Sequence, residues 1–183
     1  MELAAFWRRL DRPGHDAARF APDDSGWRLS GYAAFHEHGP TGLRYEVSLA
    51  PDFTTLAARV EGHRSGRPFR HQIRRLREAW TLDGAPVSGV EGLVHLDFGF
   101  TPATNLPQLL HADLPLGEGA GIPVAWFDLG TDTLVRLEQD YRRTAPDRYD
   151  YRSPAAGYAA TLEMAASGFV RRYPGLWEME PGA

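Results

Sequence analysis

From Trp27 the chain alternates. Trp27, Leu29, Gly31, Ala33 and Phe35 fall on one side, Arg28, Ser30, Tyr32 and His36 on the other. A period of two is that of a strand with one buried face. After the turn Gly39-Pro40-Thr41-Gly42, Leu43, Tyr45, Val47 and Leu49 alternate with Arg44, Glu46 and Ser48. Two such runs around a Gly/Pro turn predict an antiparallel hairpin. Pro51-Asp52 turns the chain again, and Thr54 to Glu61 returns as a strand. Leu3 to Leu10, apolar around Trp7, suits helix or strand, and the strands that follow favour strand. His15 to Phe20 is a short strand closed by Pro22–Gly26. Pro68 to Arg77 stays open, because Phe69, Ile73 and Leu76 also make one helical face. Trp80 to Gly84 is a short strand ending in an Asp-Gly turn.

Val94 to Leu110 changes character halfway. It opens as a strand with His95, Asp97 and Gly99 on one side and Val94, Leu96, Phe98 and Phe100 on the other. Thr101-Pro102 breaks the ladder, since proline has no N–H to give. A helix start follows, with Asn105 as N-cap, Pro107 in the first turn and Gln108 at the capping-box position. Leu106, Leu109 and Leu110 then form one apolar stripe. After a glycine-rich loop, Pro115–Gly121, further strands are predicted at Ile122–Leu129, Thr133–Arg143, Arg148–Arg152, Tyr158–Met164 and Phe169–Arg172. The pattern predicts one β-dominated antiparallel domain over residues 1–183, with a single short helix for the strands to cover.

Composition narrows the classes. Glycine and proline number 19 and 14 in 183 residues, punctuation that suits many short strands rather than a helix bundle. The net charge is −4, with every one of the 20 basic residues an arginine, which argues against a nucleic-acid footprint. The absence of cysteine excludes disulfides and thiolate metal sites. The first residues carry charge where a signal peptide needs an apolar run, and no segment approaches the ~18 apolar residues of a membrane span. A cytoplasmic location is the expectation.

Candidate chemistry is sparse. Asp97-Phe98-Gly99 matches the metal-binding tripeptide of protein kinases, but neither their phosphate-covering glycine loop nor their catalytic His-Arg-Asp is present. His36 and His38 would share one side of a strand, with His63 and His71 as further ligands. Their place beside the Gly39-Pro40 turn reads as solvated surface, and no metal or cofactor is expected. Ser88 and Ser167 lack a nucleophile elbow. Carboxylates remain: Asp97, Glu46, Glu138, Asp140 and Glu163 all fall mid-strand. One that faced inward would mark a site, because a buried carboxylate must be hydrogen-bonded or paired. Trp80, Trp126, Tyr141, Tyr149, Tyr151 and Tyr158 could supply walls for a sugar or an amphiphile, although aromatics at strand spacing are more often core.

Several stretches together resemble a bacterial family of putative glycolipid-binding proteins, formerly a domain of unknown function. They are Trp27–Gly31, Leu43–Val47, Trp80 with Asp83-Gly84, His95–Pro107, Gln139–Arg142, Tyr149–Tyr151 and Gly168–Gly175. The resemblance implies a large antiparallel sheet wrapped round one helix, remotely like the periplasmic lipoprotein carriers. It also implies a homodimer and an acidic pocket for a glycolipid, and it favours strand for Pro68–Arg77. The chain departs from the family pattern where His95 replaces an acidic residue and where a threonine is missing between Asn105 and Leu106. It departs again where Gln108-Leu109-Leu110-His111 replaces arginines, a change that would favour acyl chains.

The reading is a non-enzymatic protein that binds a glycolipid or other sugar-bearing amphiphile between curved sheet and helix. Asp97 is the leading pocket residue, with His95 on its strand face and Thr101, Thr104 and Asn105 at the helix start. Glu138, Gln139 and Tyr141 form the opposite wall. Alternation forbids Glu138 and Gln139 both pointing inward, and with Gln139 and Tyr141 inward Glu138 becomes a surface carboxylate. Two rivals are a carbohydrate hydrolase using Asp97 and a second carboxylate, and a dimeric interaction protein without a small ligand.

Overall fold

The computed structural model describes residues 2–181. The first half of the chain is an antiparallel meander in which each strand pairs with the next. Its strands are β1 (Leu3–Arg9), β2 (Gly14–Asp23), β3 (Gly26–His36), β4 (Pro40–Leu49), β5 (Thr55–Arg64), β6 (Arg67–Leu76), β7 (Ala79–Leu82) and β8 (Ala85–Val87). Between this meander and a second one come β9 (Leu96–Phe98), helix α1 (Asn105–Ala112), β10 (Gly119–Gly121), β11 (Val124–Asp128) and β12 (Thr133–Leu137). The second meander is β13 (Asp140–Ala145), β14 (Arg148–Ser153), β15 (Tyr158–Met164), β16 (Val170–Tyr173) and β17 (Trp177–Met179).

The terminal strands join the two halves. β17 pairs antiparallel with β1, Met179 opposite Trp7, and so fuses both meanders into one 14-stranded sheet. Its free edges are β8 and β10, so it does not close into a barrel. The inward positions follow the alternation: Leu43, Tyr45, Val47 and Leu49 are buried, whereas Arg44 and Glu46 are exposed. The segment between the meanders fills the hollow. β9, β11 and β12 form a second, three-stranded sheet in which β9 and β11 run parallel, with Trp126 opposite Asp97. Phe98 and Phe100 from this insert pack edge-on against Tyr45 of the large sheet.

One hydrophobic cluster runs through both layers, from Trp7, Leu29, Val60 and Trp80 of the large sheet to Phe98, Leu106 and Phe127 of the insert. Each such side chain removed from water contributes about 1.5–3 kcal/mol. Buried indoles also need an acceptor. Trp7 Nε1 donates to the Val170 carbonyl at 2.6 Å, and Trp80 Nε1 to the Leu93 carbonyl at 2.9 Å. Among the described residues no helix is long and apolar enough to cross a membrane, which says nothing of β-barrels.

Several elements differ from the sequence reading. Over Pro68–Arg77, open between helix and strand in the sequence with the resemblance favouring strand, the chain is strand as far as Leu76. Ile73 is therefore buried, and Leu76, off the helical face it would have joined, is exposed. The run Thr133–Arg143 is not one strand. It breaks at Glu138-Gln139, and its two halves belong to different sheets. The strand of Val94–Phe100 shrinks to three residues. The helix is capped at Thr104 rather than Asn105, and neither a side-chain cap bond nor a capping box forms, because those side chains are used elsewhere. His36 ends β3 and His38 turns with φ 53°, so the two do not share a strand face.

Gly31 shows how closely the layers approach. It lies on the inward face of β3, opposite Tyr45 in the register. A Cβ there would stand 2.4 Å from the Tyr45 ring and hydroxyl and 2.6 Å from the Ala17 carbonyl oxygen. Only glycine lets the phenol lie flat across the neighbouring strand. Gly31→Ala should therefore lose about 1–3 kcal/mol in urea unfolding, as overpacked cores do. An unchanged midpoint would show that Tyr45 does not cross at this point.

Candidate functional site

The first turn of α1 gives its polar side chains to a buried carboxylate instead of to its own cap. Thr104 Oγ1 accepts the Phe98 N–H at 3.3 Å and donates to Asp97 Oδ1. Gln108, fully buried on the inner side of α1, donates to the same oxygen through Nε2 at 3.4 Å. Gln139 Nε2 donates to Asp97 Oδ2 at 3.0 Å. The break after β12 makes this possible, since leaving one sheet for the other turns Gln139 inward. The Gln139 carbonyl is held there by the Ile122 N–H at 2.7 Å.

Tyr141 closes the ring of polar groups. Asn105 Nδ2 donates to its hydroxyl at 2.6 Å, and the hydroxyl in turn donates to Gln139 Oε1 at 3.2 Å. Burial pushes the Asp97 carboxyl above the usual carboxylate range, while the bonds from Thr104, Gln139 and Gln108 pull the other way. Beside this network lies a cavity of about 520 Å³. Asp97, Thr101, Asn105 and Ser153 supply its polar patches. Its walls are mostly apolar or aromatic: Trp126, Val135, Leu137, Tyr151, Tyr158, Tyr173, Leu176 and Trp177 among them. Trp126 reaches the cavity over Gly99, where a Cβ would stand 3.0 Å from the indole. The tyrosines pack against one another, Tyr141–Tyr151 at 4.9 Å and Tyr151–Tyr173 at 5.5 Å between centroids. Burial first, and then the Asp97 charge, push the Tyr151 phenol up to about 12.

Of the residues expected from the sequence, Asp97, Thr101 and Asn105 line the cavity. Thr104, Gln139 and Tyr141 stand behind them and orient Asp97 and Asn105. His95 lies further along the helix, stacked edge-on against His111 at 4.9 Å and outside the cavity lining. Glu138 is exposed and paired with Arg136 at 2.6 Å, the surface position that alternation assigns it once Gln139 turns inward. Arg136, Ser153, Tyr173, Leu176 and Trp177 were not singled out by the sequence. Tyr173 and Leu176 flank the Pro174-Gly175 turn, whose role as a wall has no local signature.

A second buried carboxylate was also missed. Asp16 is inward on β2 with Ala18 and Phe20, the one signal that strand alternation offered. Its Oδ2 accepts from Tyr45 OH at 3.0 Å and from Thr101 Oγ1, and Thr101 Oγ1 accepts the Ala103 N–H at 3.0 Å. The turn entering α1 is thus tied at Thr101 to the first meander. Burial pushes the Asp16 carboxyl up to about 7 against these hydrogen bonds. His95 moves oppositely, held down at about 4 by burial and then by the charges of His111 and Arg75.

The two shifts give opposite pH dependences. Asp16 keeps in the fold a proton that the unfolded chain sheds near 3.8, so its stabilising contribution is complete below that pH and is lost as pH rises to about 7. The swing is on the order of 4 kcal/mol. His95 stays neutral in the fold while the unfolded chain takes up a proton near 6.5, so stability rises with pH between about 4 and 6.5. In urea unfolding, Asp16→Asn should therefore gain on the wild type as pH rises through this window, and His95→Gln should lose on it. Parallel trends for the two variants would contradict the assignment.

The chain matches the model of the family described as "Putative glycolipid-binding" over residues 4–179. Its fold is similar to the crystal structure of a DUF1089 family protein from Pseudomonas aeruginosa, with a TM-score of 0.69 over 97% of this chain and 91% of that one. Identity between them is 20%, so this likeness speaks for the fold alone. No curated protein matches the chain. With the family model spanning both meanders and the insert between them, the chain belongs to the Putative glycolipid-binding family.

Proposed function

We propose that the protein binds a sugar-bearing amphiphile, without transforming it, in the cavity between the curved sheet and the start of α1. The observation that carries this reading is one buried carboxylate facing a largely apolar, aromatic-walled space of about 520 Å³. Ligand sites commonly combine such walls with a few fixed polar groups. At about 30 Å³ for each water-sized group, the space takes on the order of 17 non-hydrogen atoms. That is enough for one sugar ring and the beginning of a chain, with the remainder of the ligand outside. Asp97 accepts a ligand hydroxyl, and Thr101 and Asn105 contribute beside it. Tyr158 and Trp126 line the space where the sugar or the chain would lie.

Paired-carboxylate hydrolysis needs a second acid roughly 5–9.5 Å away, and Asp97 is the one carboxylate among the described residues that line the cavity. This favours binding over glycoside cleavage. The protein also acts as a homodimer in this reading. Support comes from the outer face, where Phe6, Ala17 and Tyr32 sit side by side across β1, β2 and β3. Phe6 is 41% and Tyr32 68% exposed, and with Ala17 between them they form an apolar strip that a second copy would cover.

Native mass spectrometry of the protein purified from its own host tests both parts, with lipid extraction to identify what is bound. The expected spectrum is a dimer carrying a glycosylated amphiphile, which Ala156→Trp, placing an indole at the cavity rim, should expel. A ligand-free wild type, or the same cargo in both proteins, would contradict the binding site. A monomer mass would contradict the dimer.

A further inference from the structure

The electrostatics of the cavity specify its ligand more closely than a hydroxyl acceptor alone. Asp97 forms no ion pair among the described residues. The side chains that reach it are neutral: the Thr104 hydroxyl and the Gln108 and Gln139 amides. A carboxyl buried without a cation is held toward its neutral form, and the fold leaves this one at the cavity wall, where an arriving cation would favour the anion. Beyond it the space is bounded by the rings of Trp126, Tyr151, Tyr158, Tyr173 and Trp177. Aromatic faces around a small volume attract cations through their quadrupoles, most strongly where water is excluded. The lining contains one cationic side chain, Arg136, which is 44% exposed and pairs with Glu138. It does not neutralise the interior.

Resting on the binding role proposed above, we infer that the cavity takes an amphiphile whose head carries an ammonium group, seated against Asp97 and enclosed by the aromatic rings. An amino sugar on a lipid satisfies this chemistry, and so does a simple long-chain amine. Both bring the missing positive charge and an N–H donor to the carboxylate. An anionic head would face Asp97 directly. A neutral sugar would hydrogen-bond to it but bring no charge to favour the ionised carboxylate.

The test compares octylammonium, octan-1-ol, octyl sulfate and octyl glucoside on the intact wild-type protein. It uses calorimetry together with tryptophan fluorescence, at slightly alkaline pH and below micelle formation. Octylammonium and octanol share a chain and differ in charge. The ammonium should bind at least about tenfold more tightly than the alcohol, and the sulfate more weakly than either. Asp97→Asn should abolish the ammonium preference. Equal binding of ammonium and alcohol by the wild type would overturn the inference, and this comparison does not depend on the variant folding. A preference that survived in Asp97→Asn would overturn it as well. Octyl glucoside separates the two levels. If it binds while octylammonium gains nothing over octanol, the amphiphile reading stands and the ammonium falls. If none of the four binds, both fall.

Discussion

A carboxylate carried out of water must be met by donors, and the way Asp97 is met organises the middle of the molecule. Its three side-chain donors come from the helix entry, the helix itself and the joint between the two sheets: Thr104, Gln108 and Gln139. Each of those positions is explained by this demand. α1 starts without a side-chain cap because Thr104 is occupied. Gln108 is buried on a helix whose other inward residues include leucines. The chain leaves β12 for β13 at the point where Gln139 must turn inward. Asp16 makes a matching grip through Thr101, so the turn from Thr101 to Thr104 is held by one buried carboxylate at each end.

The cavity is a consequence of this arrangement. Because the insert is anchored through polar contacts at the helix entry, the inner faces of β14–β17 stand off from it. Tyr151, Tyr158, Tyr173 and Trp177 then line a gap instead of packing on α1. Unpaired carboxylates in a dry interior are poor contributors to stability, and apolar residues of similar shape often serve a core better. Retaining one at a cavity wall, ringed by neutral donors, fits the binding role proposed for this cavity. The two buried acids differ in this respect. Asp16 is wholly enclosed and ties strands to a turn, whereas Asp97 ties and also faces open space.

Much of the framework was legible because strand alternation is a local property. The runs around Leu29 and Tyr45 carry their burial in a period of two, and the break at Thr101-Pro102 followed by a helix is written in backbone chemistry. Asp97, Thr101 and Asn105 could be placed at the cavity since they flank that break. What stayed hidden depends on partners distant in the chain. Thr133–Arg143 keeps an unbroken strand pattern, yet β12 and β13 answer to different sheets, and no local residue marks the switch. Asn105 has the chemistry of a cap, and only the approach of Tyr141 diverts it. The same holds for Pro68–Arg77, where Phe69, Ile73 and Leu76 make one helical face, and pairing with β5 decides for strand and leaves Leu76 exposed. Alternation put His95 on one strand face with Asp97, but β9 begins only at Leu96, and His95 packs on His111 of α1, away from the opening.

Everything proposed for the cavity depends on Asp97 being a buried carboxylate that opens onto it. Carbon-detected NMR titration of its side-chain carboxyl, free and with octyl glucoside present, tests this directly. The free protein should show the group titrating above the usual carboxylate range, and bound ligand hydroxyls should draw that midpoint down. A carboxyl that titrates in the ordinary range and ignores the ligand would mean that Asp97 is hydrated and that no binding site lies beside it.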